Sequence, residues 1–99
     1  MTMLRQFGLI FEWDQAKNDK NLAERGFDFA RACGIFGGDI IEWDDTRRDY
    51  GERRVISMGE FEGDVYVVVY TPREHVRRII SARLASRRER DVYHKTFAS

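Results

Sequence analysis

The fold is decided by one stretch of the sequence, Val65-Tyr66-Val67-Val68-Val69-Tyr70, which is the longest apolar run in the chain. An unbroken run of β-branched and aromatic residues is typical of a central strand that is covered on both faces, whereas a half-exposed strand alternates apolar and polar residues. A turn at residues 71–74 leads to a second predicted strand over residues 76–84. These two strands are therefore expected to form the middle of a sheet.

The second strand carries arginine on both of its faces. Strict alternation places one set together, namely Val76, Arg78, Ile80, Ala82 and Leu84. The opposite face then receives Arg77, Ile79, Ser81 and Arg83. Each face of this strand is thus predicted to mix apolar side chains with guanidinium groups.

A C-terminal helix is predicted from Ser86 to about residue 97. Ser86 precedes Glu89 by three residues, which is the spacing of a capping box. The first turn also holds three cations, which the positive end of the helix dipole disfavours; they are Arg87, Arg88 and Arg90. Such a run of charges is typical of a solvated basic face, and it is also the composition of a site for phosphates or for an acidic partner. The local pattern leaves both interpretations open.

Length and composition predict one domain over residues 1–99. A chain of 99 residues with 42% hydrophobic and 13% aromatic content can build one modest core. The net charge is zero but unevenly placed: residues 73–99 carry eight Lys or Arg against three Asp or Glu, and residues 1–72 carry nine against fourteen. A basic end of +5 suits a surface that meets a polyanion.

Several protein classes are disfavoured by the residue inventory. Cys33 is the single cysteine, so an intrachain disulfide and a cysteine-based metal cluster are excluded, and His75 and His94 are the only histidines. No apolar run approaches the roughly 20 residues that span a bilayer, and the N-terminus lacks a signal-peptide pattern. The sequence favours a cytoplasmic protein without metal, cofactor or membrane.

The remaining elements follow from periodicity and caps. After a loose lead-in over residues 1–6, we predict a strand over 7–13, a helix over 14–25 capped by Asp14 and ended by Gly26, and a second helix from Asp28 to Gly37. Further strands are predicted over residues 40–43 and 53–59. The order β-α-α-β-β-β-β-α predicts an α+β fold, in which a helical hairpin and a C-terminal helix cover a twisted, mainly antiparallel sheet.

In this order the residues resemble those of the BrnT family, the ribonuclease toxins of bacterial toxin–antitoxin pairs. The matching pieces are Phe11-Glu12-Trp13-Asp14, Lys17 and Asn21; Tyr50-Gly51-Glu52, Arg54 and Gly59; Val69-Tyr70-Thr71 and Arg73; Arg78-Ile79-Ile80-Ser81-Ala82-Arg83, Ala85, Glu89 and Tyr93. Two pieces depart from the family: Glu24-Arg25-Gly26 stands where Lys-His-Gly is frequent, and Gly38-Asp39 where Asp-Pro is frequent.

The resemblance implies a RelE-like fold and a metal-independent endoribonuclease that inhibits translation, with RNA, including ribosome-associated mRNA, as its substrate. It also implies a BrnA-like antitoxin with a ribbon-helix-helix domain. Two toxins and two antitoxins would form a heterotetramer that reaches operator DNA through the antitoxin only.

Metal-free RNA cleavage needs a base for the ribose 2′-hydroxyl, cations for the pentavalent phosphate and an acid for the leaving 5′-oxygen. Glu52 or Lys17 is the candidate base. Arg54, Arg78 and Arg83 are the candidates for the phosphate, because a guanidinium can hold two oxygens at once. Tyr50 is expected to stack on a base or to hold the leaving oxygen. Further substrate contacts are assigned to Arg73, Arg77 and Arg87.

Other interpretations of the same residues stay open. Ion pairs within the sheet would explain the arginines, and the departures at Arg25 and Gly38 would suit a degenerate toxin that serves only as a corepressor partner. A third alternative is a plain binder of single-stranded RNA that uses aromatic stacking platforms. Its platforms would be Trp13, Trp43, Tyr50 and Tyr66, although their spacing is mostly that of core residues.

Overall fold

The computed structural model describes residues 2–98, which form one six-stranded sheet and three α-helices. The strands are β1 (Thr2–Gln6), β2 (Leu9–Trp13), β3 (Ile40–Asp44), β4 (Val55–Phe61), β5 (Asp64–Arg73) and β6 (Val76–Leu84). The helices are α1 (Gln15–Arg25), α2 (Phe29–Ala32) and α3 (Arg87–Phe97), and a 3-10 segment, Cys33–Gly37, continues α2. The predicted α+β class is confirmed.

The strands lie in the order β1-β2-β6-β5-β4-β3. All neighbouring pairs are antiparallel except β2 and β6, which run parallel. The predicted lead-in over residues 1–6 is wrong where it is described, because Thr2–Gln6 is a strand paired with β2. Phe7 and Gly8 make the connecting turn at φ values of 56° and 73°. Leu4 of β1 packs against the core. Because few side chains of β1 face the core, the strand has only a weak apolar pattern in the sequence.

The helical hairpin expected near the N-terminus is not confirmed. Two strands precede the helical segments, and α2 is a single turn that continues as the 3-10 segment. Asp14 caps α1 by accepting hydrogen bonds from the amides of Ala16 and Lys17. Within the 3-10 segment, a Cβ added to Gly34 would lie 2.4 Å from the Phe61 ring. The backbone of this segment is therefore pressed directly against the end of β4.

Strand β5 buries both of its faces, as its apolar run predicts. Tyr66, Val68 and Tyr70 belong to the larger core, which α2 and the 3-10 segment cover. Val65 and Val67 belong to a smaller core on the opposite side, where Tyr93 of α3 packs. We call the side of Tyr66, Val68 and Tyr70 the back face and the side of Val67, Val69 and Thr71 the front face. The helix α3 covers only part of the front face.

A β-bulge in β6 changes which arginines share a face. Ser81 lies opposite Val69 but Ile79 lies opposite Tyr70, so Ile80 is an extra residue in the register. Cross-strand partners share a face of the sheet. The front face therefore carries Val76, Arg78, Ser81 and Arg83. The strict alternation expected from the sequence is wrong on this point, because an extra residue inverts the parity of the strand before it.

Candidate active site

The front face carries a groove of about 440 Å³ between the end of β3, the strand β6 and the start of α3. Its apolar floor consists of Ile56, Val67 and Val69. Its walls are charged, and the groups that line them include Arg25, Asp44, Asp45, Arg47, Arg83 and Glu89. The groove thus combines apolar contact area with guanidinium donors.

Asp45 organises the loop between β3 and β4. Its carboxylate is 1% exposed and accepts hydrogen bonds from Arg47 Nε and Nη2, both at 2.8 Å, and from the Tyr50 hydroxyl at 3.0 Å. These hydrogen bonds, above all those from Arg47, hold the pKa of Asp45 well below its usual range. The Asp45 amide donates to the Arg54 carbonyl at 2.8 Å. The buried carboxylate of Asp45 therefore holds Arg47 and Tyr50 in place, and its backbone amide joins the two ends of the loop.

Tyr50 and Arg54 are brought together by this loop. The Arg54 guanidinium carbon lies 4.0 Å from the centre of the Tyr50 ring, and that of Arg48 lies 5.1 Å from it. Arg54 Nε is 3.6 Å from Glu52 and is buried without a hydrogen-bond partner among the described residues. A stacked, poorly satisfied guanidinium is a favourable donor for an incoming anion.

Glu52 faces the same cluster. It accepts a hydrogen bond from Thr71 Oγ1 at 3.1 Å and lies 3.5 Å from Arg73 Nη2. Burial acts to raise the pKa of Glu52, but the hydrogen bonds and the charges of Arg73 and Arg54 outweigh it and lower the pKa. The carboxylate is therefore ionised at neutral pH and able to accept a proton, although its basicity is reduced.

Arg78 and Arg83 occupy the same face at separate positions. Arg78 lies opposite Thr71 and Arg83 opposite Val67, four residues apart on β5, which is roughly 13 Å along a strand. Arg78 Nη1 is 3.7 Å from Glu12, whereas Arg83 binds Glu89. The front face thus holds Arg78 next to Thr71, the residue that donates to Glu52, and holds Arg83 separately beside the groove.

The other predicted site residues are dispersed. Lys17 lines a shallow depression on α1 that also contains Arg25 and Ser81, two residues of the groove wall. Arg87 is exposed in the first turn of α3. Arg77 lies on the back face, where its guanidinium carbon is 5.0 Å from the Phe36 ring and 4.9 Å from the Tyr70 ring. The structure does not bring Arg77 together with the arginines of the front face.

Arg25 is a groove residue, and the sequence marks it only as a departure from the family pattern. Its Nη1 donates to the Ala82 carbonyl at 2.6 Å. β2 pairs with β6 only as far as Arg78, so this bond satisfies a carbonyl on the part of β6 that β2 leaves open. Arg47 and Asp45 were also missed. An aspartate two residues before an arginine in a polar loop was the available signal.

Within residues 2–98 no group of three or more His, Cys, Asp or Glu side chains is arranged to hold a metal ion. The same part of the chain contains no helix long and apolar enough to cross a membrane.

An arginine-rich face with an ionised glutamate, carried by a small α+β sheet, is typical of the class of proteins that engage polyanions. Within that class the chain belongs to the BrnT family, because the family's sequence model, described as the ribonuclease toxin BrnT of type II toxin–antitoxin systems, matches residues 13–89. All nine predicted site residues fall within this span. Such a family implies an RNA substrate and an antitoxin partner. A search of curated proteins finds no match.

Proposed function

We propose that this ribonuclease toxin is an endoribonuclease that works without a metal ion and inhibits translation. The observation that carries the proposal is the cluster on the front face, where the Glu52 carboxylate lies beside Arg54 and Arg73. Thr71, which donates to Glu52, lies opposite Arg78 in the sheet. A base and several cations are thus close to one another on an accessible surface, as phosphodiester cleavage requires.

In the proposed reaction Glu52 takes the proton of a ribose 2′-hydroxyl and that oxygen attacks the adjacent phosphorus. Arg54 and Arg78 stabilise the charge of the pentavalent phosphate, because each guanidinium can donate to two oxygens. The bond to the 5′-oxygen breaks and that oxygen takes a proton from water, while the protonated Glu52 returns its proton to water. The products are a 2′,3′-cyclic phosphate and a 5′-hydroxyl end. Lys17 is the alternative base. Arg83 and Tyr50 contact other parts of the RNA strand that is being cleaved.

The partner is proposed to be a BrnA-like antitoxin with a ribbon-helix-helix domain, in a heterotetramer that binds operator DNA through the antitoxin. The basic charge of residues 73–99 supports an antitoxin segment that is acidic and that covers this surface. Replacing Arg54, Arg78 and Arg83 together by Ala should weaken the complex, and unchanged affinity would contradict this interface. A RelE-like fold is part of the same proposal, supported by the central antiparallel strands and the C-terminal helix.

A second candidate function is a toxin without catalysis that acts as a corepressor. Two observations favour it: Arg54, Arg78 and Arg83 each already face a carboxylate of the chain, and Arg25 stands where the family frequently has histidine. Expression without antitoxin separates the candidates, because a catalytic toxin stops growth whereas a corepressor accumulates harmlessly.

The decisive experiment is cleavage of end-labelled single-stranded RNA and of ribosome-bound mRNA in the presence of EDTA. We expect new ends with 2′,3′-cyclic phosphates, and we expect Glu52→Gln to abolish them. Glu60→Gln is a matched control, because it makes the same change at a carboxylate that pairs with His94. Absence of cleavage of both substrates by the unmodified protein would contradict the proposal.

A further inference from the structure

Trp43 is an exposed aromatic side chain in a protein that buries most of its others. Its relative exposure is 42%, against 3% for Trp13 and 1% for Tyr66. It lies opposite Ile56 in the pairing of β3 with β4, and it forms part of the groove wall. Of the two tryptophans, Trp13 is therefore a core residue, whereas the indole of Trp43 can be reached by a ligand.

The surroundings of Trp43 suit both parts of a nucleotide, the base and the phosphate. The floor beside it is apolar, formed by Ile56, Val67 and Val69. Arg25 and Arg47 line the same groove. Asp45 is held by Nε and Nη2 of Arg47, which leaves the N–H groups of Nη1 outside this pair. An aromatic surface for a base next to guanidinium groups for its phosphates is the usual construction of a single-strand site.

The acidic groups of the groove do not oppose an anionic ligand, because each is engaged by an arginine. Asp44 lies 2.9 Å from Arg53, Asp45 lies 2.8 Å from Arg47, and Glu89 lies 2.7 Å from Arg83. Arg25 donates to a backbone carbonyl instead of a carboxylate. The charged residues that line the groove balance, with three arginines against three carboxylates. Arg53, which pairs with Asp44 from outside the lining, adds one positive charge next to the groove.

We propose that the groove beside Trp43 binds one unpaired nucleobase of an RNA strand. The base stacks on the indole, and Arg25 and Arg47 contact the phosphates on either side of it. This inference rests on the proposed function for RNA as the ligand. It deepens that function by naming a single-stranded segment, because only a base outside a duplex can place its face on an indole. The volume of about 440 Å³ is in the range of small-ligand pockets.

The test uses the fluorescence of the two tryptophans. The probe is a single-stranded 2′-O-methyl RNA oligonucleotide, which lacks the nucleophilic hydroxyl and is not cleaved. We expect it to quench the emission of Trp43 and not that of Trp13, so that Trp43→Phe binds the oligonucleotide without quenching. Trp43→Ala should raise the Kd roughly 5- to 100-fold. Phe97→Ala is the matched control, because Phe97 is an exposed aromatic of α3, 40% exposed, outside the groove.

The outcomes separate this inference from the proposed catalysis. If Trp43→Ala, with an unchanged circular dichroism spectrum, binds the oligonucleotide as tightly as the unmodified protein, the base site is refuted even where RNA is cleaved. If the oligonucleotide quenches Trp43 but natural RNA is never cleaved, the base site stands and the catalytic proposal fails. Equal quenching by a duplex of the same sequence, or quenching by an acidic peptide in place of RNA, would overturn the inference.

Discussion

Arg83 and Glu89 form a bidentate pair, with Arg83 Nη1 2.7 Å from Glu89 Oε1 and Nη2 2.9 Å from Oε2. The same carboxylate closes the capping box of α3 by accepting a hydrogen bond from the Ser86 amide. One side chain therefore joins the basic strand β6 to the helix that partly covers the front face. It also occupies the fork with which Arg83 would grip a phosphate.

Glu89→Gln should increase affinity for RNA, because it releases Arg83 while glutamine can still complete the capping box. The free energy of unfolding should fall by only about 0.5–1 kcal/mol, since both partners are partly exposed. Binding of a 2′-O-methyl oligonucleotide and urea denaturation measure the two effects. Glu60→Gln is the control, because Glu60 pairs with His94 outside the groove. Equal gains in affinity for both variants would contradict a specific role for Glu89.

The stability that Glu89 provides should depend on pH. Arg83 above all lowers the pKa of Glu89 to about 2, from an ordinary value of 4.5. A carboxylate whose pKa is lower in the folded protein stabilises it fully above pH 4.5, and this contribution is lost as the pH falls toward 2. The difference in unfolding free energy between the unmodified protein and Glu89→Gln should therefore shrink between pH 5 and pH 2.5. A constant difference over this interval would refute the linkage.

Asp45→Asn should loosen the loop between β3 and β4, because it removes the charge that holds Arg47 and Tyr50. We expect faster hydrogen exchange at the Asp45 amide and faster proteolysis between β3 and β4, with weaker RNA binding as a consequence. Asp49→Asn is a matched control in the same loop, since Asp49 accepts a hydrogen bond only from the Gly51 amide among the described residues. Similar exchange rates in both variants would show that Asp45 does not organise the loop.

Arg54→Lys should reduce kcat by roughly 100-fold with a smaller change in KM, because lysine keeps the charge but loses the two-pronged donor geometry. Single-turnover cleavage of labelled RNA measures the effect, and Arg5→Lys provides the control on β1. A variant that cleaves at the normal rate would remove Arg54 from the catalytic group.

Gly34→Ala should lower the free energy of unfolding by about 1–3 kcal/mol, because the added methyl would lie 2.4 Å from the Phe61 ring. Gly38→Ala is the matched control: no atom lies within 4 Å of its Cβ position, and its φ of −134° suits any residue. Urea denaturation of the two variants measures the difference. Equal stability of the two variants would show that the 3-10 segment is not packed tightly against Phe61 of β4.

Local signals in the sequence predicted much of this fold correctly. The run over residues 65–70 gave the central strand, Asp14 and Gly26 bound α1, and Ser86 with Glu89 begins α3. These features depend on neighbours within a few positions, so the sequence alone contains their cause. The strand β1 was not predicted because few of its side chains face the core.

The arrangement of the site was harder to predict because it depends on distant partners. Asp45 is buried only because the chain returns at Arg54, nine positions later, to close the loop. Arg78 and Arg83 share a face only because Ile80 is an extra residue, a β-bulge, in the pairing with β5. Trp43 looks like a core residue by its spacing, and its exposure follows from the partial cover that α3 gives to the front face.

The extra residue at Ile80 is the reason that two arginines five positions apart emerge on the same surface, which a regular strand would send to opposite sides. Loss of the single codon for Ile80 would restore a regular pleat while every remaining residue keeps its present partner on β5. Arg78 would still lie beside Thr71, and Arg77 would still point into the aromatic cluster of Phe36 and Tyr70. The basic surface therefore tolerates an in-frame deletion at this one position, because the residue removed is one that the pairing does not use.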